Sequence, residues 1–144
     1  MYDEILFPTD GGPASQAALD HALDHARRYD ARLHTLYVVD TTAYASLDAG
    51  AETVISALKQ EGETALQAVA ERADDADVSV VSEIISGSPH KQLLGYAETN
   101  DIDLIVMGTH GRTGLDRYLL GSVTERVVRT ADVPVLTVRV SNDG

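Results

Sequence analysis

The stretch Asp103-Leu104-Ile105-Val106-Met107-Gly108-Thr109-His110-Gly111-Arg112-Thr113-Gly114 decides how the remainder of the chain is read. Its first half is a short, branched apolar run, the pattern of a strand buried on both faces. The run stops at Gly108 and passes into a glycine-punctuated loop of about a dozen residues. Beyond the loop, Ser122-Val123-Thr124-Glu125 has capping-box spacing, in which the serine and the glutamate satisfy two orphan N–H groups, and it predicts a helix start. A buried strand, a glycine loop and a helix in succession make half of a parallel α/β unit.

The same alternation extends in both directions. Ile5-Leu6-Phe7-Pro8 reads as a strand ending at Thr9-Asp10 and a Gly11-Gly12-Pro13 turn, and Ala18, Leu19, Ala22, Leu23 and Ala26 follow at helical spacing. Leu33–Val39 is a second strand, followed by a polar stretch over Thr41–Gly50. A longer helix then carries Val54, Ile55, Leu58, Ala65, Leu66, Val69 and Ala73 on one stripe, with Gly62 tolerated inside it. Val78–Ile85 is a third strand. Gly87-Ser88-Pro89 reads as turn, N-cap and first-turn proline of a helix whose inner face is Leu93, Leu94 and Ala97. Val135–Val138, entered through Pro134, is the fifth strand.

Helical crossovers between strands require parallel pairing. Right-handed crossovers, with the chain starting in mid-sheet, give an open, mostly parallel five-stranded sheet of order 3-2-1-4-5 with helices on both faces. The expected architecture is a single α/β domain over residues 1–144. In such sheets ligands bind beyond the carboxyl ends of the strands where the order reverses. That reversal lies between strands 1 and 4, so Thr9-Asp10 and Gly108–Ser122 border it.

Charge points to the same place. The chain carries 11 Lys and Arg against 23 Asp and Glu, a net of −12, with Lys59 and Lys91 as its lysines. Such a surface repels nucleic acid and anionic membranes, since phosphate binding depends on cations displacing counterions. An Asp-rich, Lys-poor surface also suits a salt-rich cytoplasm, where screening shortens self-repulsion. Yet Arg112, Arg117, Arg126 and Arg129 crowd into residues 108–130 and give that segment a net of +2, against −13 for residues 1–107. Its glycines can turn backbone N–H groups toward an anion, and the helix that follows adds its N-terminus. A small polyanion fits this segment better than a plain solvated helix face does. The P-loop pattern and the glycine fingerprint of dinucleotide dehydrogenases are both missing. No apolar run approaches the length of about eighteen residues that crosses a bilayer, the opening Met1–Leu6 has no leader pattern, and cysteine is absent. A cytoplasmic location is expected.

Gly108-x2-Gly111-x9-Gly121-Ser122 matches the G-x2-G-x9-G-[ST] ATP-binding motif, and the chain resembles the universal stress protein family over nearly its whole length. Ile5–Asp10, Gly87-Ser88-Pro89, Met107–Leu115, Leu119–Val128 and Val133–Val138 carry the likeness. The resemblance implies a Rossmann-like fold of the adenine nucleotide alpha hydrolase type, often dimeric, with ATP at the switch point. It would set Pro8, Thr9 and Asp10 on the adenosine side and the backbone of Val39 against adenine. Met107, Gly108, Gly111 and Arg112 would wrap ribose and phosphates. Gly121, Ser122, Val123 and Thr124 would hold phosphate oxygens, with any Mg arriving on the phosphates. The Thr41–Gly50 region matches nothing in particular.

Simpler roles compete at several of these positions. Asp10 can cap the first helix, Ser122 is an N-cap under either reading, and Gly114 can serve loop geometry alone. His21, His25 and His34 read as surface residues, His90 sits in a first helical turn, and His110 is a loop residue. No nucleophile–base–orienter set and no metal-ligand spacing can be assembled. Three functions therefore stand: a non-catalytic ATP-dependent regulatory switch, a slow ATPase or phosphotransferase, and a dimeric stress module without nucleotide. The glycine motif disfavours the third, and the missing base and ligands favour the first over the second. A homodimer is expected through the free edge of the fifth strand.

Overall fold

The computed structural model describes residues 1–41, 50–109 and 117–139. Along the chain run β1 (Glu4–Pro8), α1 (Pro13–Tyr29), β2 (Arg32–Asp40), α2 (Gly50–Asp75) and β3 (Val80–Gly87). They are followed by α3 (Pro89–Thr99), β4 (Leu104–Gly108), α4 (Arg117–Thr130) and β5 (Val135–Val138). The strands lie in the order β3-β2-β1-β4-β5, every pairing parallel, as expected from the alternation of periods.

Neighbouring residues of the central strands point to opposite faces, and both faces are covered, so these strands are continuous apolar runs. Ile5, Phe7, Leu33, Leu104 and Val106 pack with Ala18, Leu19, Ala22 and Ala26 of α1 and with Val69 and Ala73 of α2. Leu6, Leu36, Ile105 and Met107 pack on the other side with Leu93, Tyr96 and Ala97 of α3 and Val127 of α4. The small alanines of α1 let that helix lie close to the centre of the sheet.

Three helices hand over to strands by one repeated device. Asp30, Asp77 and Asp101 each take positive φ (54°, 59° and 53°). The next residue then donates its N–H five residues back: Ala31 to Ala26, Val78 to Ala73 and Ile102 to Ala97. This is the Schellman closure, with aspartate where glycine is usual and a buried apolar residue sealing the turn. It explains a shift in β3. Val78 is consumed in closing α2, so the strand starts at Val80 instead of Val78 and runs on to Gly87, where it still pairs with Asp40.

Two further expectations are corrected. The fourth helix begins at Arg117, not at Ser122, and the capping-box residues lie in its interior. Arg117-Tyr118-Leu119-Leu120 are competent helix formers, and one interior glycine costs only about 1 kcal/mol, so the helix runs through Gly121. His34 is not a surface residue but is 5% exposed. Its Nε2 lies 2.6 Å from Glu4 Oε1 and its Nδ1 lies 2.8 Å from Tyr96 Oη. Nε2–H donates to the carboxylate, and Nδ1 shares the second hydrogen bond with the phenol. Burial, with the charges of Glu83 and Glu4 adding to it, pushes the Tyr96 phenol above its ordinary value and keeps it a donor. This chain of three side chains fastens α3 to β1 and β2.

Candidate functional site

The sheet opens where its strand order reverses. β1 pairs with β2 as far as Pro8↔Leu36, and Thr9 N–H extends that ladder by donating to the Leu36 carbonyl at 2.9 Å. β4 pairs with β5 as far as Gly108↔Val138, and Thr109 N–H adds a further bond to the Val138 carbonyl at 3.1 Å. Between β1 and β4 the pairing ends earlier, at Leu6↔Ile105. Beyond that point each central strand follows its outer neighbour, and this is where a sheet of this order is expected to open a crevice, between Thr9 and Gly108-Thr109.

One wall of the crevice is the β1–α1 turn. Thr9 Oγ1 accepts from Gly11 N–H at 3.0 Å, and Asp10 Oδ1 accepts from Gly12 N–H at 2.8 Å and from the Ser15 hydroxyl at 2.9 Å. Gly11 sits at φ 80°, a conformation that favours glycine. Asp10 therefore does perform the capping role, through one carboxylate oxygen, and its Oδ2 accepts no hydrogen bond among the described residues. It borders a cleft of about 640 Å³ together with Gly11, Gln16 and the α2 residues Ala57, Gln60, Thr64 and Ala65. These hydrogen bonds close the turn on itself without a ligand.

The opposite wall is the end of β4 and the start of α4. Met107 is buried among the apolar residues of the α3–α4 face, so only its backbone is offered to the crevice. Thr124 is 5% exposed, and its hydroxyl donates to the Gly108 carbonyl at 3.1 Å, which ties α4 to the strand end. That bond turns the Thr124 face of the helix toward Gly108. Gly121 lies three residues earlier, on the same face. Because the helix begins at Arg117, its amides without an intrahelical carbonyl are those of its first four residues. Those of Ser122, Val123 and Thr124 lie deeper in it. Gly111 and Arg112, with His110 and Gly114, lie outside the described residues, as do residues 42–49 of the polar stretch.

The β2 end adds a detail that sequence reasoning missed. In a parallel strand a residue turns its N–H and C=O to one neighbour, and the next residue turns them to the other. Arg32 N–H donates to Asp3 and the Leu36 carbonyl accepts from Thr9, so even-numbered β2 residues face β1. Leu33 N–H donates to Ser79, so odd-numbered ones face β3. Val39, expected to present its backbone, thus directs it to β3, and Val38 directs its own past the end of β1 into the crevice. A periodicity of two was visible in the sequence, but its phase was not. Elsewhere, among the described residues, no cluster of three or more His, Asp or Glu is placed to hold a metal. No described helix is long and apolar enough to cross a membrane.

A single parallel α/β sheet of order β3-β2-β1-β4-β5, with a hydrogen-bonded Thr-Asp turn after β1 and a helix tied to the end of β4, defines the class of fold. The family model of the universal stress protein family matches residues 1–139, and the chain belongs to that family. Universal stress protein MJ0531 of Methanocaldococcus jannaschii is 42% identical over 141 residues, covering 96% of this chain and 83% of that protein. The solved structure of MJ0577 superposes with a TM-score of 0.87 at 31% identity and 99% coverage of both chains. A universal stress protein solved in complex with cAMP superposes with a TM-score of 0.74 at 27% identity, covering 97% of this chain and 99% of that one.

Proposed function

We propose that the protein binds ATP in the crevice between β1 and β4 and acts as a nucleotide-dependent regulatory switch in the stress response, without catalysing a reaction of its own. The observation that carries this reading is the early end of the β1–β4 ladder, which opens the sheet where the glycine motif stands. The cAMP held by a structural relative supports an adenine nucleotide as the ligand class. Pro8, Thr9 and Asp10 would border the adenosine, with the Val38 peptide beside Val39 reading the adenine edge. Gly108, Gly111, Arg112, Gly121, Ser122, Val123 and Thr124 would border ribose and phosphates, and Mg would arrive on the phosphates. The Asp-rich surface suits a cytoplasm of high salt.

Denaturing the freshly purified protein and identifying the released small molecule tests the reading. Released ATP at near one equivalent is expected. Released ADP or AMP would favour the slow ATPase, and an empty protein that also fails to take up added ATP would overturn nucleotide binding. The proposal includes a two-fold dimer through the outer edge of β5. Light scattering is expected to give twice the 15.4 kDa chain mass, and a chain-mass particle at micromolar concentration would remove the dimer.

A further inference from the structure

The face of the sheet covered by α3 and α4 holds a second cavity, at the end remote from the crevice. It occupies about 340 Å³ between the carboxyl ends of the two helices. Its floor is apolar, made by Leu94, Ala97, Ile105 and Val133, and its rim carries the carboxylates of Glu98, Asp101 and Asp132. All three acidic residues are exposed, and none has an ion-pair partner among the described residues. No Lys, Arg or His lines the cavity.

The carboxyl end of α3 differs from those of the other described helices in lacking a cation. The last turns of α1 and α2 carry Arg27, Arg28 and Arg72, cations that offset the negative end of a helix. The last turn of α3 has no basic residue and carries Glu98 instead. Arg129, in the last turn of α4, is engaged by Glu125 at 2.7 Å. Two helix carboxyl ends and three carboxylates thus focus negative potential on one apolar hollow. Asp101 holds the closing position that Asp30 and Asp77 hold at the other helix ends, so what distinguishes this end is the missing cation together with Glu98 and Asp132.

We propose that this hollow docks a basic segment of a partner protein, with a large aliphatic side chain seated on the half-buried Leu94 and Val133 and flanking Lys or Arg residues paired to Glu98, Asp101 and Asp132. The volume lies near the lower bound of ligand cavities, about 300 Å³, which suits one or two side chains. The net charge of −12 excludes nucleic acid and anionic lipid from the same surface. The docking site lies at the amino ends of β4 and β5, and its existence does not depend on what the crevice at their carboxyl ends binds.

The test titrates the isotope-labelled full chain with the peptide acetyl-Gly-Arg-Leu-Lys-Arg-Leu-Arg-Gly-amide and follows backbone amide resonances at low salt. Saturable shifts are expected at Leu94, Glu98, Ala131 and Val133. Charge-neutral Glu98→Gln/Asp101→Asn/Asp132→Asn is expected to weaken binding roughly tenfold, since it removes the paired charges but keeps an asparagine at the positive-φ site. A peptide with both leucines replaced by serine is expected to bind about fivefold or more weakly, because the apolar anchor is gone. Absence of shifts at these amides at millimolar peptide overturns the proposal. So does equal binding by the triple variant or by the serine peptide, which would report only diffuse attraction to an acidic protein.

Discussion

Replacing Gly121 with valine is expected to weaken ATP binding by up to about two orders of magnitude and to leave the domain folded. The position lies inside α4, where glycine is a poor choice for the helix itself, about 1 kcal/mol worse than alanine. Helical stability therefore gives no reason for a glycine there, and valine would by propensity alone add a few tenths of a kcal/mol. The reason lies on the face that Gly121 shares with Thr124, which is bonded to the Gly108 carbonyl at the lip of the crevice. A branched side chain on that face would occupy space a phosphate needs, and forced overlap of this size costs about 1–3 kcal/mol, roughly five- to a hundred-and-fifty-fold in affinity. Calorimetric titration with ATP beside a thermal melt separates the two effects. Unchanged affinity would remove the α4 glycine from the site, and loss of folding would show that Gly121 serves packing instead.

The second large effect concerns a glycine of the core. Gly62→Ala is expected to destabilise the fold by about 1–3 kcal/mol, although alanine is the better helix former. A Cβ at Gly62 would stand 2.7 Å from Cδ1 and 3.0 Å from Cγ of Tyr37. Tyr37 is 5% exposed in β2, packed with Val39 and Leu66, so its ring has little room to withdraw. Gly95→Ala is the matched control. It makes the same chemical change in α3, where a Cβ would meet nothing within 4 Å, and it is expected to stabilise by up to about 1 kcal/mol. Urea unfolding of both variants reads the two signs directly. Equal behaviour of the pair would mean that α2 shifts away from β2 at negligible cost.

Gly62 also illustrates where reading a sequence stops. As one glycine in a helical stripe it is merely tolerable, and nothing in its neighbours announces that a tyrosine ring from a strand lies against it. His34 is similar. Its partners Glu4 and Tyr96 are 30 and 62 residues away, and only the packing of α3 on β1 and β2 brings them together. The start of α4 was misplaced because a capping box is a local preference, and the helix-forming side chains before it extend the helix at small cost. By contrast, the role of Asp10 as a cap was legible, since its partners Gly12 and Ser15 are within five residues.

Composition and periodicity alone determined the class of fold, the strand order and the place of the switch point. These follow from which residues must be buried and from the handedness of the crossovers, and both are properties of the chain read in order. The register between strands was decided only in three dimensions. The β1–β4 ladder stops short of its neighbours, Val38 and not Val39 faces the opening, and two acidic helix ends meet over an apolar hollow. Each depends on the relative height and rotation of elements far apart in sequence. That alignment is set by how the whole core packs, and no local pattern encodes it.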